Sequence, residues 1–297
     1  MSKNPLCEVF GFPIANVSKN AQHFRKSRLC PYNNVSANCT KDKAQNPLGV
    51  CSIFEGDGIA VTCPIRFRQN WIIASDTADY FFGPGTLWTS LSEIRLSDNN
   101  GKSAGNIDLV LVAYDEDGSL LDFGAVEVQA VYISGNIRQP FEKYMESMSP
   151  AFLWNTGYNY PKADYLSSSR KRLIPQLMFK GTIINSWNKK ISVVLHESFY
   201  NTLPALPEVH KDESDVAWFI YGLEYNETEK LYSLVKRNVV YTKFAGALQK
   251  ISIPVPGKLE DFVKILQRKL DKKLENENSP ETDNPANMFR FLNGGDD

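Results

Sequence analysis

Three side chains with oxygen donors fall on two neighbouring β-rich runs of the chain. Asp108 begins one run, and Glu127 and Gln129 lie in the next, within "AVEVQAVY" (125–132). Because strand side chains alternate faces, Glu127 and Gln129 point the same way, and a plausible hairpin register brings Asp108 onto that face. A buried carboxylate needs a partner that offsets its cost. Oxygen ligands suit Mg²⁺, so the set predicts a site for Mg²⁺ together with a substrate phosphate.

All five cysteines lie before residue 64. In a cytosolic chain, such clustering favours a metal site over disulfides. Cys7 stands apart and is expected to be a small buried apolar residue. The spacing of the others is wider than in the Cys-x-x-Cys pairs of common zinc modules, and four sulfur ligands are compatible with iron or zinc. These four, at separations of 9, 12 and 12 residues, are Cys30, Cys39, Cys51 and Cys63.

The net charge of −1 hides an uneven distribution. Residues 275–297 contain six acidic residues and one basic residue, so residues 1–274 carry a net charge of +4. A phosphate-binding surface is permitted, although solvated basic faces and an ordinary Asn-Gly-Lys turn explain the same residues. Guanidinium groups can hydrogen-bond to the edge of guanine, and basic side chains that precede a helix can bind phosphate. The candidate DNA contacts are Arg66, Arg68, Lys102, Arg170, Lys171 and Arg172.

Other kinds of site have little support in the sequence. The "GKS" at 101–103 lacks the Gly-x4 spacing of a phosphate-binding loop, so no nucleotide cofactor is predicted. His196-Glu197 is not followed by a histidine at the spacing of zinc proteases. No run of 18 apolar residues exists, and the start "MSKNPLCEVFGFPI" does not resemble a signal peptide. We therefore expect a cytoplasmic protein without a membrane partner.

The elements that must position these residues are strands and helices in alternation. Asp115 to Gly118 joins two β-rich runs in a hairpin pattern, and the loop at 226–230 joins two more. The segment before Leu96 is compatible with helix or strand. The predicted strands are 107–114, 120–133, 190–195 and the runs "AWFIYGLEY" and "YSLVKRNVVYTKF". One predicted helix starts at Leu166 and has a break near Pro175, and a second spans 259–276. This pattern predicts a mixed α/β (α+β) core with a cysteine-stapled N-terminal appendage.

The order Asp, hairpin, Glu-x-Gln resembles the PD-(D/E)xK nuclease superfamily. Read over a longer stretch, "SEIRLSDNNGKSAGNIDLVL…DFGAVEVQAVYISGN" is similar to the NotI family of restriction endonucleases. "RLCPY…NCTK…GVCS…TCPIRF" before it and "RKRLIPQL" after it extend the resemblance over residues 8–200. It implies a PD-(D/E)xK core with a four-cysteine, metal-binding N-terminal module. Residues 200–297 carry no usable resemblance.

The resemblance implies roles for individual residues. Asp108 and Glu127 would bind Mg²⁺, with the Val128 carbonyl as a third ligand. Gln129 replaces the lysine usual in the superfamily and would position the water or the phosphate, because an amide cannot act as a base. Glu93, in "SEIRL", matches an upstream acid that aligns the site or binds a second metal; a surface ion pair with Arg95 is the alternative. The four cysteines would hold iron or zinc.

The function predicted from this sequence is a type II, Mg²⁺-dependent restriction endonuclease that acts as a homodimer on a GC-rich palindrome. A cognate DNA methyltransferase is expected in the same system. The alternatives are a nicking or repair nuclease of the superfamily and a DNA-binding module that does not cleave. The predicted regions are 1–70 for the cysteine module, 71–274 for the catalytic domain and 275–297 for an acidic tail.

Overall fold

The computed structural model describes residues 4–43, 45–149, 151 and 159–275. The chain divides into two compact units, residues 1–252 and residues 253–297. The predicted boundary after residue 70 remains a prediction. Apart from Glu275, the predicted acidic tail lies outside the described residues.

The larger sheet of the first unit, the central sheet, has six strands. Its middle strand, Ile191–His196, is buried along its whole length and pairs in parallel with a strand on each side, whereas the other pairings are antiparallel. In spatial order the strands are Leu231–Thr242, Val216–Asn226, Ile191–His196, Leu120–Gln129, Ser103–Tyr114 and Trp88–Ser97. Both predicted hairpins and the predicted apolar strand are confirmed, and the ambiguous segment before Leu96 is a strand.

Hydrophobic clusters cover both faces of the central sheet. Along Val216–Asn226, side chains alternate between them: Trp218 packs on one face and Phe219 on the other. Ala125, two residues before Glu127, belongs to the Trp218 face. That face is covered by the helical segment 165–186, named here the covering helix.

The covering helix retains right-handed helical backbone angles at its internal junctions, but it contains two π turns on either side of Pro175. Proline lacks the amide hydrogen that an α-helix would use, and π turns are a common response to such a defect. The predicted helix is therefore confirmed, and the predicted break is a change of winding. Its apolar face, which packs on the central sheet, includes Leu173, Leu177 and Ile184.

The remaining elements of the first unit are short. A four-stranded N-terminal sheet has its own hydrophobic cluster, which Phe141 and Tyr144 join. Its strands, in spatial order, are Phe12–Pro13, Leu6–Val9, Val50–Glu55 and Gly58–Val61. Two-stranded ladders pair Asp42–Lys43 with Asn46–Pro47 and Tyr132–Ser134 with Lys162–Asp164.

The described helices of the first unit are distributed along the chain from residue 19 to residue 252. They are Lys19–Lys26, Ile72–Phe81, Arg138–Ser147, Tyr165–Ser168, Ile174–Gln176, Thr182–Ser186, Glu197–Tyr200 and Phe244–Ser252. The 3₁₀ segments are Pro64–Trp71 and Lys211–Glu213, and the π turns are Ser169–Leu173 and Leu177–Gly181.

The second unit contains one described helix, Leu259–Glu275, which confirms the predicted amphipathic helix. No helix in the described ranges of either unit is long and apolar enough to span a membrane. The mixed α/β character predicted from the sequence is confirmed.

Candidate active site

Three carboxylates lie across adjacent strands at one edge of the central sheet. The register of the flanking residues places Glu93 opposite Asp108, and the register of the next pair of strands brings Asp108 beside Glu127. Glu93 is exposed and has φ +57°, a conformation that side-chain-bearing residues rarely adopt and that clusters at functional sites. The three acids, named here the carboxylate row, are thus brought together as the sequence predicted.

Asp108 lies where two strands of the hairpin separate. One step beyond the last backbone pair, Leu109 with Val126, the Val128 amide donates to Oδ2 of Asp108 at 2.8 Å instead of to a backbone carbonyl. Burial raises the pKa of Asp108, while the Val128 hydrogen bond lowers it. The carboxylate thereby takes the place of a ladder contact and is fixed beside its neighbour.

Glu127 is the most buried member of the carboxylate row, at 3% exposure. Its Oε2 accepts a hydrogen bond from the Lys180 ammonium at 2.6 Å, whereas its buried Oε1 has no hydrogen-bond partner in the described part of the chain. Burial raises the pKa of Glu127 to about 8; the Asp108 carboxylate adds to the rise and Lys180 opposes it. An unpartnered buried oxygen beside a second carboxylate is a donor set that a hard cation fits.

Gln129 is buried, and its amide Nε2 donates to the side-chain oxygen of Gln176 on the covering helix. Lys180 lies one turn further along the same helix. Sequence reasoning missed both helix residues. Polar residues at 172, 176 and 180, four apart, were the available signal, since such spacing places them on one helix face.

A cleft of about 60 Å³ adjoins the carboxylate row, and Glu93 and Asp108 line it. Arg68 and Trp71 form part of the opposite wall, with the guanidinium 6.0 Å from the centre of the indole ring. Asn70 and Trp71 both have left-handed backbone angles, with φ of 50° and 56°. The cleft has room for an ion with a few waters, and Arg68 contributes a cation to its wall.

Arg66 occupies a different environment from the one predicted. It is completely buried, and its Nε lies 3.1 Å from Glu8, which is also buried. The same guanidinium donates to Gln69 and to the Tyr232 carbonyl, and it lies 4.4 Å from the centre of the Tyr32 ring. A guanidinium held in this way cannot reach a DNA surface, so the predicted contact is corrected: Arg66 forms an internal ion pair.

Of the other predicted DNA contacts, Arg68 is half-buried and the remaining four are exposed. Arg170, Lys171 and Arg172 lie in the first half of the covering helix, and the Arg172 guanidinium is 4.7 Å from the centre of the Tyr132 ring. The charge of Arg172 also lowers the pKa of Asp108, which shows that it lies near the carboxylate row. Lys102 lies in the exposed turn before Ser103–Tyr114.

The four predicted metal-binding cysteines are free thiols in the N-terminal region. Burial raises the pKa of Cys30 to about 11 and also raises those of Cys39 and Cys51, and Cys63 adds to each rise. The four thiols therefore act on one another electrostatically, and we call them the cysteine cluster. Across the described ranges, however, no group of three or more His, Cys, Asp or Glu side chains is arranged to hold a metal ion.

A lysine lies among these thiols. The Lys41 ammonium donates to the carbonyl oxygens of Val50 at 2.5 Å and Thr62 at 3.0 Å. Burial lowers the pKa of Lys41, and Cys63, Cys51 and Cys39 act in the opposite direction. Cys7 is 1% exposed, and its predicted burial is confirmed.

Comparison with known proteins supplies one family. A family model described as restriction endonuclease NotI matches residues 9–234, about three quarters of the chain. The match spans all three acids of the carboxylate row, the cysteine cluster and the covering helix. A search of curated proteins found no match.

Proposed function

Because the chain belongs to the NotI restriction endonuclease family and is therefore a type II, DNA-cleaving hydrolase, we propose that it cuts both strands of a GC-rich palindromic site with Mg²⁺. Restriction endonucleases generally use this ion. The observation that carries the proposal is the carboxylate row, in which the buried Oε1 of Glu127 lies beside Asp108 without a hydrogen-bond partner among the described residues. Hydrolysis would leave 5′-phosphate and 3′-hydroxyl ends.

Asp108 and Glu127 are the proposed Mg²⁺ ligands, with the Val128 carbonyl as a third. The ion would lower the pKa of a bound water and stabilise charge on the phosphate. Asp108 is fixed for this task by the Val128 amide, and Glu127 by Lys180. Because both carboxylates are restrained before DNA binds, little reorganisation accompanies the reaction.

Gln129 is proposed to position the attacking water or the scissile phosphate. Its hydrogen bond to Gln176 fixes the direction of the amide. An amide does not ionise, so the proton of the attacking water would pass to solvent or to a substrate phosphate. Glu93, at the open end of the carboxylate row, would align the site or bind a second ion; its strained backbone and its place in the cleft support this role.

The basic residues around the cleft are the proposed DNA contacts. Arg68, Lys102, Arg170, Lys171 and Arg172 would bind phosphates and, for Arg68, a base edge. Substituting Arg170→Ala should reduce the slope of log affinity against log salt by about one phosphate contact. The measurement is a DNA-binding titration at several salt concentrations, and an unchanged slope would reject the contact.

The PD-(D/E)xK core and the cysteine module are further parts of the proposal. The carboxylate row on a mixed sheet supports the core. The cysteine cluster is proposed to hold iron or zinc through four thiolates, since soft sulfur ligands suit either metal. The described thiols are not arranged for ligation as they stand, so binding would have to draw them together. The metal would fix the N-terminal lobe and take no part in hydrolysis.

Cutting both strands of a palindrome requires two active sites related by a two-fold axis, so the proposed working form is a homodimer. A cognate methyltransferase would protect the host DNA.

The experiment is a plasmid digest with Mg²⁺, run beside Glu127→Ala. Discrete linear fragments from the wild-type protein alone would support restriction. Nicked circles would instead indicate a nicking or repair nuclease, and a gel shift without scission would indicate a DNA-binding module. Scission by Glu127→Ala at the wild-type rate would reject the proposed site.

A further inference from the structure

A buried ammonium lies against one of the proposed metal ligands. The Lys180 side chain is 5% exposed, and its Nζ donates to Oε2 of Glu127 at 2.6 Å and to the Asn106 carbonyl at 2.7 Å. The two residues are 53 positions apart in the chain, so only the fold brings them together. Lys180 therefore restrains one carboxylate oxygen and leaves the other, Oε1, open.

Lys180 is the last of three polar residues that face the catalytic strands from the covering helix. Gln176, one turn earlier, bonds to Gln129, and Arg172, one turn before that, lies close enough to lower the pKa of Asp108. Residues four apart lie on one face of a helix. The covering helix thus forms a second wall of the site. It provides a hydrogen-bond partner for Glu127 and another for Gln129.

The charge of Lys180 changes what an arriving cation meets. Once both have lost their protons, Asp108 and Glu127 together offer two negative charges, and the ammonium offsets one of them. Interactions between charges a few ångströms apart are strong when water is excluded. A divalent cation should consequently bind the free protein weakly, and the phosphate of DNA would restore the missing negative charge.

We propose that Lys180 is a positioning residue that presents only Oε1 of Glu127 to the divalent cation and keeps the carboxylates from binding that cation tightly before DNA arrives. The inference rests on the proposed function and deepens it. Two measurable quantities should therefore change in opposite directions. Removal of the Lys180 charge tightens cation binding by the free protein, whereas removal of its hydrogen bond to Glu127 slows cleavage.

The test measures Mn²⁺ affinity of the full-length, DNA-free protein, and cleavage of plasmid at saturating Mg²⁺. For Lys180→Met we expect Mn²⁺ binding at least about tenfold tighter, because one repulsive charge is lost. We expect cleavage about a hundredfold slower, because the carboxylate is no longer held. Lys180→Arg, which keeps the charge, should bind Mn²⁺ within about threefold of the wild type on the same electrostatic argument.

Lys180→Gln is a second variant that tests the effect of the Lys180 charge on Mn²⁺ binding. It removes the charge but keeps a donor for Glu127, so it avoids leaving the carboxylate unpartnered if Lys180→Met does not fold. The matched control is Lys189→Met, which removes a lysine that lies 2.6 Å from Asp122 on the same strand as Glu127 but at a partly exposed position. It should leave both quantities unchanged.

Unchanged or weaker Mn²⁺ binding by folded Lys180→Gln would overturn the inference, as would cleavage at the wild-type rate by folded Lys180→Met. Failure of the proposed function looks different. In that case Glu127→Ala would bind Mn²⁺ as the wild type does, because the carboxylates would not be the ion's ligands.

Discussion

The carboxylate row and the cysteine cluster are both proposed metal sites with a lysine beside them, yet they are built differently. Lys180 bonds directly to a proposed ligand, whereas the Lys41 ammonium bonds to the backbone carbonyls of Val50 and Thr62. The carboxylates sit on paired strands whose register fixes them. Only Cys51 lies in a strand, whereas Cys63 precedes a 3₁₀ segment and Cys30 and Cys39 lie in irregular segments.

The difference indicates which site depends on its metal for its shape. Strand pairing holds Asp108 and Glu127 together whether or not an ion is present. The thiols are neighbours without a ligating arrangement in the described ranges, so a metal would have to organise them. We therefore expect changes in the carboxylate row to alter catalysis without altering the fold, and changes in the cysteine cluster to alter the fold first.

The largest expected effect is on cleavage. Asp108→Asn and Glu127→Gln should each reduce the rate by about 10³-fold or more, since each removes a negative charge from the metal site. Both variants should still fold, because each substitution is nearly isosteric and keeps an oxygen acceptor for the Val128 amide or for Lys180. Asp122→Asn, on the same strand as Glu127, is the control and should cleave normally. A Glu127→Gln protein that cuts within about tenfold of the wild type would break the assignment of the row.

The next effect concerns stability. Cys51→Ala should abolish binding of the structural metal and lower the free energy of unfolding by about 3 kcal/mol or more, since metal binding contributes directly to folding. Cys7→Ala is the matched control because Cys7 is equally buried but outside the cluster. It should cost about 1 kcal/mol from lost packing alone. Metal analysis and chemical denaturation measure both quantities; equal losses with unchanged metal content would contradict a metal site.

How far the sequence predicted the active site depends on the distance between partners. The placement of Asp108, Glu127 and Gln129 on two neighbouring strands was predictable because strand alternation and a short hairpin are local patterns that also fix register. Lys180 was missed because its partner is 53 residues away and nothing near it in the chain signals burial. Hairpins, the apolar strand and the amphipathic helix were predicted for the same local reason.

Arg66 shows the opposite failure. A guanidinium after the last cysteine suggested an exposed DNA contact, but its partner Glu8 lies 58 residues earlier and both are fully buried. Charge in a sequence does not reveal exposure when the compensating group comes from another strand. Pro175 was interpreted correctly as a defect, although propensity alone could not show that π turns would absorb it.

A smaller effect is expected from Lys41. Lys41→Met removes the ammonium donor to the buried carbonyls of Val50 and Thr62, which should lower the free energy of unfolding by about 2 kcal/mol. If the cysteine cluster holds a metal through thiolates, the loss should be greater with metal bound than after chelation, because the ammonium then offsets negative charge. Lys190→Met, which removes a donor to the Tyr80 carbonyl near the end of helix Ile72–Phe81, should show no such dependence. Equal losses for Lys41→Met in both states would contradict thiolate ligation.

The smallest effect for a single pH unit is a pH dependence of stability, which separates the two sites within one molecule after chelation of all metal. Both Glu127 and Cys30 have a raised pKa in the folded state, to about 8 from 4.5 and to about 11 from 9.0. A raised folded pKa means that the folded protein keeps a proton which the unfolded chain releases. Stability is therefore fully present below the unfolded value and is lost as pH rises towards the folded value.

Two windows of declining stability follow, with a slope of at most about 1.4 kcal/mol per pH unit for each group. The contribution of Glu127 to stability is lost between pH 4.5 and about 8, and that of Cys30 between pH 9.0 and about 11. Denaturation of the chelated protein across this range should show both declines. Glu127→Gln should make only the lower decline shallower and Cys30→Ser only the upper one, because Asp108 still contributes to the first and Cys39 and Cys51 to the second. If Glu127→Gln left the lower decline unchanged, the proton would not be on Glu127. A metal ion that binds Glu127 could then not displace that proton.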